Sequence, residues 1–327
     1  MRLFANTNID FLSVRRFAYW LSTAIILPGL VLLPFLGFNY SVEFTGGTMV
    51  QIQTTDPGDV SQIRQSLAAN GIPSAEIIEF GSKHDYIIRA RVGVEGPDVN
   101  NTQATIDAVT TALNGSLGTD GYQIMQAEAV SPKVGGELRE KAFFAILLSF
   151  VAVLLYLWYR FEWRFGAAAV AATVHDILAS LAFILVFRIE VSLFVVGALL
   201  SVVGYSLNDT IVIFDRVREN LRRSKRDDFI GILNSSVNET LPRTTLTSGT
   251  SAAVLLALAL LGGDVVRPFA LVMLFGIVVG TYSSIYIASP VLLEVERRWP
   301  GEQVRGVRGK SRTPTTSNQR KRPQPAR

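Results

Sequence analysis

Gly204-Tyr205-Ser206-Leu207-Asn208-Asp209-Thr210-Ile211-Val212-Ile213-Phe214-Asp215-Arg216 places an acid at the depth where an apolar run should still lie in lipid. Upstream, Val191 to Val203 is interrupted only by Ser192, Gly197 and Ser201. That run reaches spanning length, about twenty residues, only if Asn208 and Asp209 belong to the same helix. Asp209 then sits inside the bilayer, about 10 Å short of the basic end at Arg216 at the helical rise per residue. An ionisable side chain there costs several kcal/mol unless it is paired, hydrated or neutral, so it is expected to face a helix bundle and to have a function.

Hydrophobic residues form 49% of the chain in long recurring runs, which predicts a polytopic α-helical membrane protein. The chain has no cysteine, which removes disulfides, thiolate metal sites and cysteine nucleophiles. Around Asp209 the apolar runs predict six spans: Phe17–Leu36, Ala142–Tyr159, Phe165–Phe187, Val191–Phe214, Arg243–Leu261 and Arg267–Leu292. The first is read as an uncleaved anchor, too long for a typical signal h-region. The expected organisation is residues 1–16 as a cytoplasmic N-terminus, 17–37 as helix one, 38–141 as an extracytoplasmic domain with its connector, 142–292 as helices two to six, and 293–327 as a basic, disordered cytoplasmic tail. Lysine and arginine concentrate in residues 1–16, Arg160–Arg164, Arg216–Arg243 and the tail, whereas the opposite loops carry Arg188 and Arg267. That asymmetry predicts both termini in the cytoplasm.

The insert between spans one and two reads as β-α-β-β-α-β, the ferredoxin-like α+β unit. Thr48–Thr54 alternates as a strand. Asp56-Pro57 is expected to open a helix closed by Asn70-Gly71. Glu76–Phe80 and Tyr86–Val92 pair around Gly81–Asp85, a helix runs from Asn101 to Leu113, and Tyr122–Val130 is the last strand. Ser131 to Leu138 reads as a polar connector.

Arg243 enters span five from the side on which Asp209 lies and is the candidate counter-charge, with a snorkelling cation as the competing reading. Thr244, Thr247, Ser248 and Ser251 recur every three or four residues as one polar stripe, suited to a proton or cation path or to gluing helices together. Asn208, beside Asp209, joins this ion-coupling set, and so does Asp176 in mid-span three; His175 is left open. Adjacent helical residues point about 100° apart, so His175 and Asp176 are not expected to face one site squarely; Asn208 or a span-five hydroxyl could satisfy Asp176. Two separated histidines and no cysteine give no zinc site. There is no Walker motif, so no catalytic residue and no cofactor are expected, and energy would come from an ion gradient. Gly276, Gly280 and Ser284, and Gly197 with Ser201, read as close helix contacts. The Lys/Arg content of the tail suits anionic membrane lipid headgroups or ribosomal RNA, a solvated tail being the commoner outcome, and no nucleic acid is required.

Several segments together resemble the SecF branch of the SecD/SecF family, within the resolution-nodulation-division superfamily. They are Asn8-Ile9-Asp10-Phe11, Val42 to Thr48, Pro132-Lys133-Val134-Gly135, His175-Asp176, Gly204 to Asn220, Asn238 to Thr244 and Gly280 to Tyr286. The resemblance implies half of a twelve-span bundle, with SecD supplying the other six spans. It also implies work beside SecYEG and YajC on unfolded preproteins, driven by the proton-motive force or, in some members, sodium. Its membrane carboxylate falls on Asp209 and its span-five arginine on Arg243; Glu43 stands where members often have Asp. Two other functions compete with ion-coupled export: a small-molecule or lipid exporter half, and a static assembly factor in which Asp209 and Arg243 only pair.

Overall fold

The computed structural model describes residues 7–56, 59–73, 75–79, 84–90, 102–130, 132–223 and 228–300. Among them, six helical runs are long and apolar enough to cross a membrane, and one small sheet domain lies between the first two. The runs are α1 (Arg15–Leu36), α5 (Pro132–Arg160), α6 (Trp163–Val186), α7 (Leu193–Arg223), α8 (Phe229–Leu261) and α9 (Gly263–Ser283). A π turn, Ser284–Ala288, continues α9 into α10 (Ser289–Arg298). The short helix α2 (Val42–Thr45) links α1 to the sheet domain.

In that domain β1 (Gly47–Thr54), β2 (Glu76–Glu79), β3 (Asp85–Ala90) and β4 (Tyr122–Val130) lie in the order β2-β3-β1-β4 with antiparallel neighbours. The split β-α-β pattern requires this order, because each helix carries the chain past one strand before it re-enters the sheet. Val50 pairs with Ile88, and both pack with Ile52 beneath α3 (Val60–Ala69) and α4 (Thr102–Leu117), whose Ile63, Leu67, Val109 and Leu113 complete the core. The alternation of β1 thus sends Val50 and Ile52 inward while Gln53 stays exposed.

Several boundaries differ from those expected. Asp59, not Asp56, caps α3, accepting from the Ser61 amide at 2.8 Å; Pro57 lies outside the described residues. Helix α4 runs four residues past Leu113, because the left-handed residue that ends it is Gly118 (φ +78°), not Gly115. Of the expected connector, residues 131–138, the part from Pro132 onward is already helix, with Pro132 as the first residue of α5, where its missing N–H costs nothing, and residue 131 lies outside the described residues. The basic loop Arg216–Arg243 is mostly helix: α7 continues to Arg223 and α8 starts at Phe229, capped by Asp228. Burial of Leu233 and Val237 and a hydrogen bond from Asn220 to Ser236 (3.0 Å) hold these extensions together. The expected turns around Gly81, residue 101, Lys225 and Arg226, and the tail from residue 301, lie outside the described residues.

The N-terminal residues 9–12 and residues 234–238 of α8, far apart in sequence, form one contact. Asn238 bonds both backbone groups of Ile9 (3.0 and 2.9 Å), and Asn234 bonds the Leu12 amide (3.2 Å) and the Asp10 carboxylate (2.7 Å). Phe11 and Leu12 are thereby seated in the main helical core with Phe161, Phe165 and Phe214.

The small residues of α9 do let α7 approach closely. A Cβ on Gly276 would run into Val202, and one on Gly280 into Ser206. Gly197, by contrast, faces open space within this chain, and Ser201 is exposed. Gly276→Ala is therefore expected to cost about 1–3 kcal/mol through overpacking. Gly197→Ala should be neutral or slightly stabilising because it gains helix propensity. Thermal unfolding of the purified chain in detergent measures both.

Candidate functional site

Asp209 is 3% exposed and points into the bundle. Positions 202, 206, 209, 210 and 213 of α7 recur at helical spacing and are all buried. Facing Asp209 is Ser248 of α8, whose hydroxyl donates to the carboxylate at 3.3 Å. Ser248 is itself 2.7 Å from the hydroxyl of Thr281 on α9. With the Ser248 proton committed to Asp209, Thr281 is the donor of that second bond. The acid is thus held by a relay of hydroxyls from two neighbouring helices.

Arg243 is exposed, and no ion pair joins it to Asp209 among the described residues. Of the polar stripe, Thr244 and Ser248 are buried, and Ser251 accepts from Tyr205 of α7 at 3.4 Å. Thr247 instead donates to backbone carbonyls of its own helix, Arg243 (3.0 Å) and Thr244 (3.1 Å). The hydroxyls of Thr210 and Thr244, next to Asp209 in sequence and one turn before Ser248, are buried with no hydrogen-bond partner among the described residues. Asn208 is exposed on α7 and is not among the partners of either buried acid.

Asp176 forms a second, separate constellation and is 1% exposed. It accepts from Ser283 of α9 at 2.7 Å, from Ser206 of α7, and meets His175 Nδ1 at 2.9 Å. The alternative partners expected for it, Asn208 or a span-five hydroxyl, are not the ones it uses. His175 does not share a site with Asp176 so much as extend it: Nδ1 turns back to the acid while Nε2 reaches Ser22 of α1 at 2.9 Å. Ser22 lies 3.0 Å from the Tyr282 hydroxyl, which donates to the Ala18 carbonyl at 2.6 Å. One hydrogen-bonded line therefore ties α1, α6, α7 and α9 together. The π turn begins directly after Ser283 and changes the helical register there, as such turns often do at functional positions.

Sequence reasoning gave no role to Ser22, Ser206, Thr281, Tyr282 or Ser283. Ser206 had a signal, one turn before Asp209, and Thr281, Tyr282 and Ser283 stand together in the segment Gly280 to Tyr286; Ser22 is a lone hydroxyl in an apolar run. Among the described residues, no three His, Asp or Glu side chains are grouped to hold a metal ion. At the far end of the helices from the sheet, Arg160 pairs with Asp215 (2.9 Å), and Arg216 with Glu219 and Glu239.

The family model for the protein export membrane protein SecD/SecF, C-terminal, matches residues 109–298, and that for the SecD/SecF GG motif matches residues 31–57. The protein translocase subunit SecF of Gemmatimonas aurantiaca is 50% identical over 304 residues, 92% of this chain and 91% of its own. That of Desulfurispirillum indicum is 40% identical over 87% of this chain and 91% of its own. Among solved structures, SecDF from Thermus thermophilus, a translocon-associated membrane protein, superposes with a TM-score of 0.75 at 32% identity over 91% of this chain. SecDF in its super-membrane-facing form superposes with a TM-score of 0.65 at 31% identity over 94% of the chain. The present chain spans 40% of the length of each of these structures.

Removing donors from a buried acid leaves it unsatisfied, at about 1–3 kcal/mol per lost bond. Ser206→Ala combined with Ser283→Ala should lower the unfolding midpoint of the purified chain markedly. Thr247→Ala, whose hydroxyl serves only its own helix, should stay within about 0.5 kcal/mol of the parent.

Proposed function

The chain belongs to the SecD/SecF family of protein-export membrane proteins, and from that premise we propose that it is a SecF-like subunit that uses an ion gradient to assist preprotein export. The observation that carries this reading is the burial of Asp209 against hydroxyls of α8 and α9. An acid so placed can take a proton from one side of the membrane and release it to the other through neighbouring hydroxyls. Arg243 biases that exchange through its charge, and the sheet domain moves as the helices readjust. Asp176 holds the surrounding helices in register, with His175 as its link to α1. No nucleotide is hydrolysed in this scheme. Each elementary charge crossing about 100 mV supplies roughly 2.3 kcal/mol, so a few per cycle suffice to displace a loosely held chain.

The surface supports a partner. Helices α5 and α8 are largely exposed, and α7 presents Gly197, Ser201, Gly204 and Asn208 outward, a small and polar face suited to another helix bundle rather than to lipid. We assign that face to SecD, the second six-helix half, with SecYEG, YajC and an unfolded preprotein as the further partners. The protein is then a multi-pass component of the bacterial inner membrane with both termini cytoplasmic. The coupling ion is the proton, with sodium as the alternative that selective ionophores separate.

Asp209→Asn keeps the size and hydrogen-bonding capacity of the side chain but cannot exchange a proton. It should abolish gradient-dependent export while the complex still assembles, read as protein translocated into inverted vesicles with and without a proton gradient. Exchanging the charges of Asp209 and Arg243 should also fail. Export at the parent rate from either variant would reject the ion-coupled role.

A further inference from the structure

The segment matched by the GG motif lies against the turn that opens the helix carrying Asp209. Between α1 and α2 the backbone pairs with the α6–α7 turn: the Val191 amide donates to Asn39 (2.7 Å), the Ser41 amide to Val191 (3.0 Å), and Tyr40 and Val191 form a parallel bridge. Arg188 of the same turn donates to the Gly37 carbonyl at 2.8 Å. The Glu43 carboxylate, 150 residues earlier in the chain, then accepts the Leu193 amide at 2.7 Å. Leu193 is the first residue of α7, so Glu43 satisfies one of the helix's open donors and sets a negative charge at its positive end.

This anchor leads straight into the sheet. Phe44 is buried with Ile184 of α6 and Val195, Val196 and Leu199 of α7. Gly46 (φ +75°) and Gly47 (φ +147°) turn the chain directly into β1. A side chain on Gly135 of α5 would strike the backbone of Phe44 and Gly46, so α5 is pressed against the same point. A second fastening comes from β3, the neighbour of β1, where Arg89 pairs with Glu190 of the turn and both side chains are mostly buried (14% and 19% exposed). The sheet is therefore held to the α6–α7 turn at two separated points. Helix α7 continues from there to Asp209, sixteen residues and about 24 Å along the axis.

We propose that Glu43 and Glu190 are positioning residues that fasten the sheet domain to the start of α7 as one strut. A displacement of α7 at Asp209 is then carried to the domain without an intervening hinge. This rests on the ion-coupled reading above and adds the route by which the movement leaves the membrane.

The absence of native cysteines allows the test in the full chain within its complex. Spin labels at Gln103→Cys on α4 and Leu261→Cys at the end of α8, both exposed positions, report the distance between domain and bundle in vesicles with and without a proton gradient. In the labelled parent the distance shifts when the gradient is imposed. Glu43→Ala with Glu190→Ala should shrink that shift severalfold while the complex still assembles. Glu43→Gln with native Glu190, which keeps an acceptor for the Leu193 amide, should preserve it. A full shift in the double alanine variant would overturn the strut and leave the ion-coupled role standing; no shift in the parent would overturn both. Tyr40→Cys with Val191→Cys offers an independent check, since bridged neighbours lie within disulfide reach. The oxidised protein should export as the reduced one does. Loss of gradient-dependent export on oxidation, restored by reduction, would mean that the joint must open, and would overturn the strut.

Discussion

Burying a carboxylate at bilayer depth is tolerable only where the protein answers it, and two carboxylates in this chain are answered in different ways. Asp176 has three partners drawn from its own helix, α7 and α9, and its histidine neighbour extends the contact to α1. Among the described residues Asp209 takes a hydrogen bond from the Ser248 hydroxyl, itself bonded to Thr281. The first arrangement is saturated and spans four helices, as befits a fixed internal joint. The second is sparser, and among the described residues the hydroxyl of Thr210, beside it in sequence, and that of Thr244, one turn before Ser248, have no hydrogen-bond partner.

The rest of the fold serves this contrast. Close packing of α7 on α9 through Gly276 and Gly280 brings Ser206, Ser283 and Thr281 to the acids, and the π turn after Ser283 alters the register at that point. At one end of the bundle the N-terminal segment is held to α8 by Asn234 and Asn238. At the other, the glycine pair at 46 and 47 turns the chain from the start of α7 into the sheet domain. Both buried acids therefore lie between the end held by the N-terminal segment and the end that carries the sheet domain.

The six spans and the order of the sheet were legible because apolar runs and period-two alternation are local signals. Asp209 was legible for the opposite reason, as an acid where the run should have stayed apolar. Helix ends were harder. Arg216–Arg223 and Phe229–Pro242 lose hydropathy without losing helicity, and an amphipathic face built on Leu233 and Val237 is easily taken for a loop when spans are sought. The partners of the acids were hidden because they are set by packing across the whole chain: Ser22 meets a histidine 153 positions away, and Tyr282 reaches back 264 positions to Ala18. Arg243 shows the limit of charge matching by sequence, since it lies on the expected helix but Asp209 takes its hydrogen bond from Ser248 one turn further on.

Under the ion-coupled role proposed for it, Asp209 itself exchanges a proton as the gradient changes. Infrared difference spectroscopy of the complex in vesicles reads carboxyl protonation directly. Imposing and collapsing the gradient should make a carboxyl band appear and vanish, shift it in deuterium oxide, and remove it in Asp209→Asn but not in Ser248→Ala. A difference spectrum with no carboxyl band, or one that survives unchanged in Asp209→Asn, would exclude Asp209 as the proton-exchanging group.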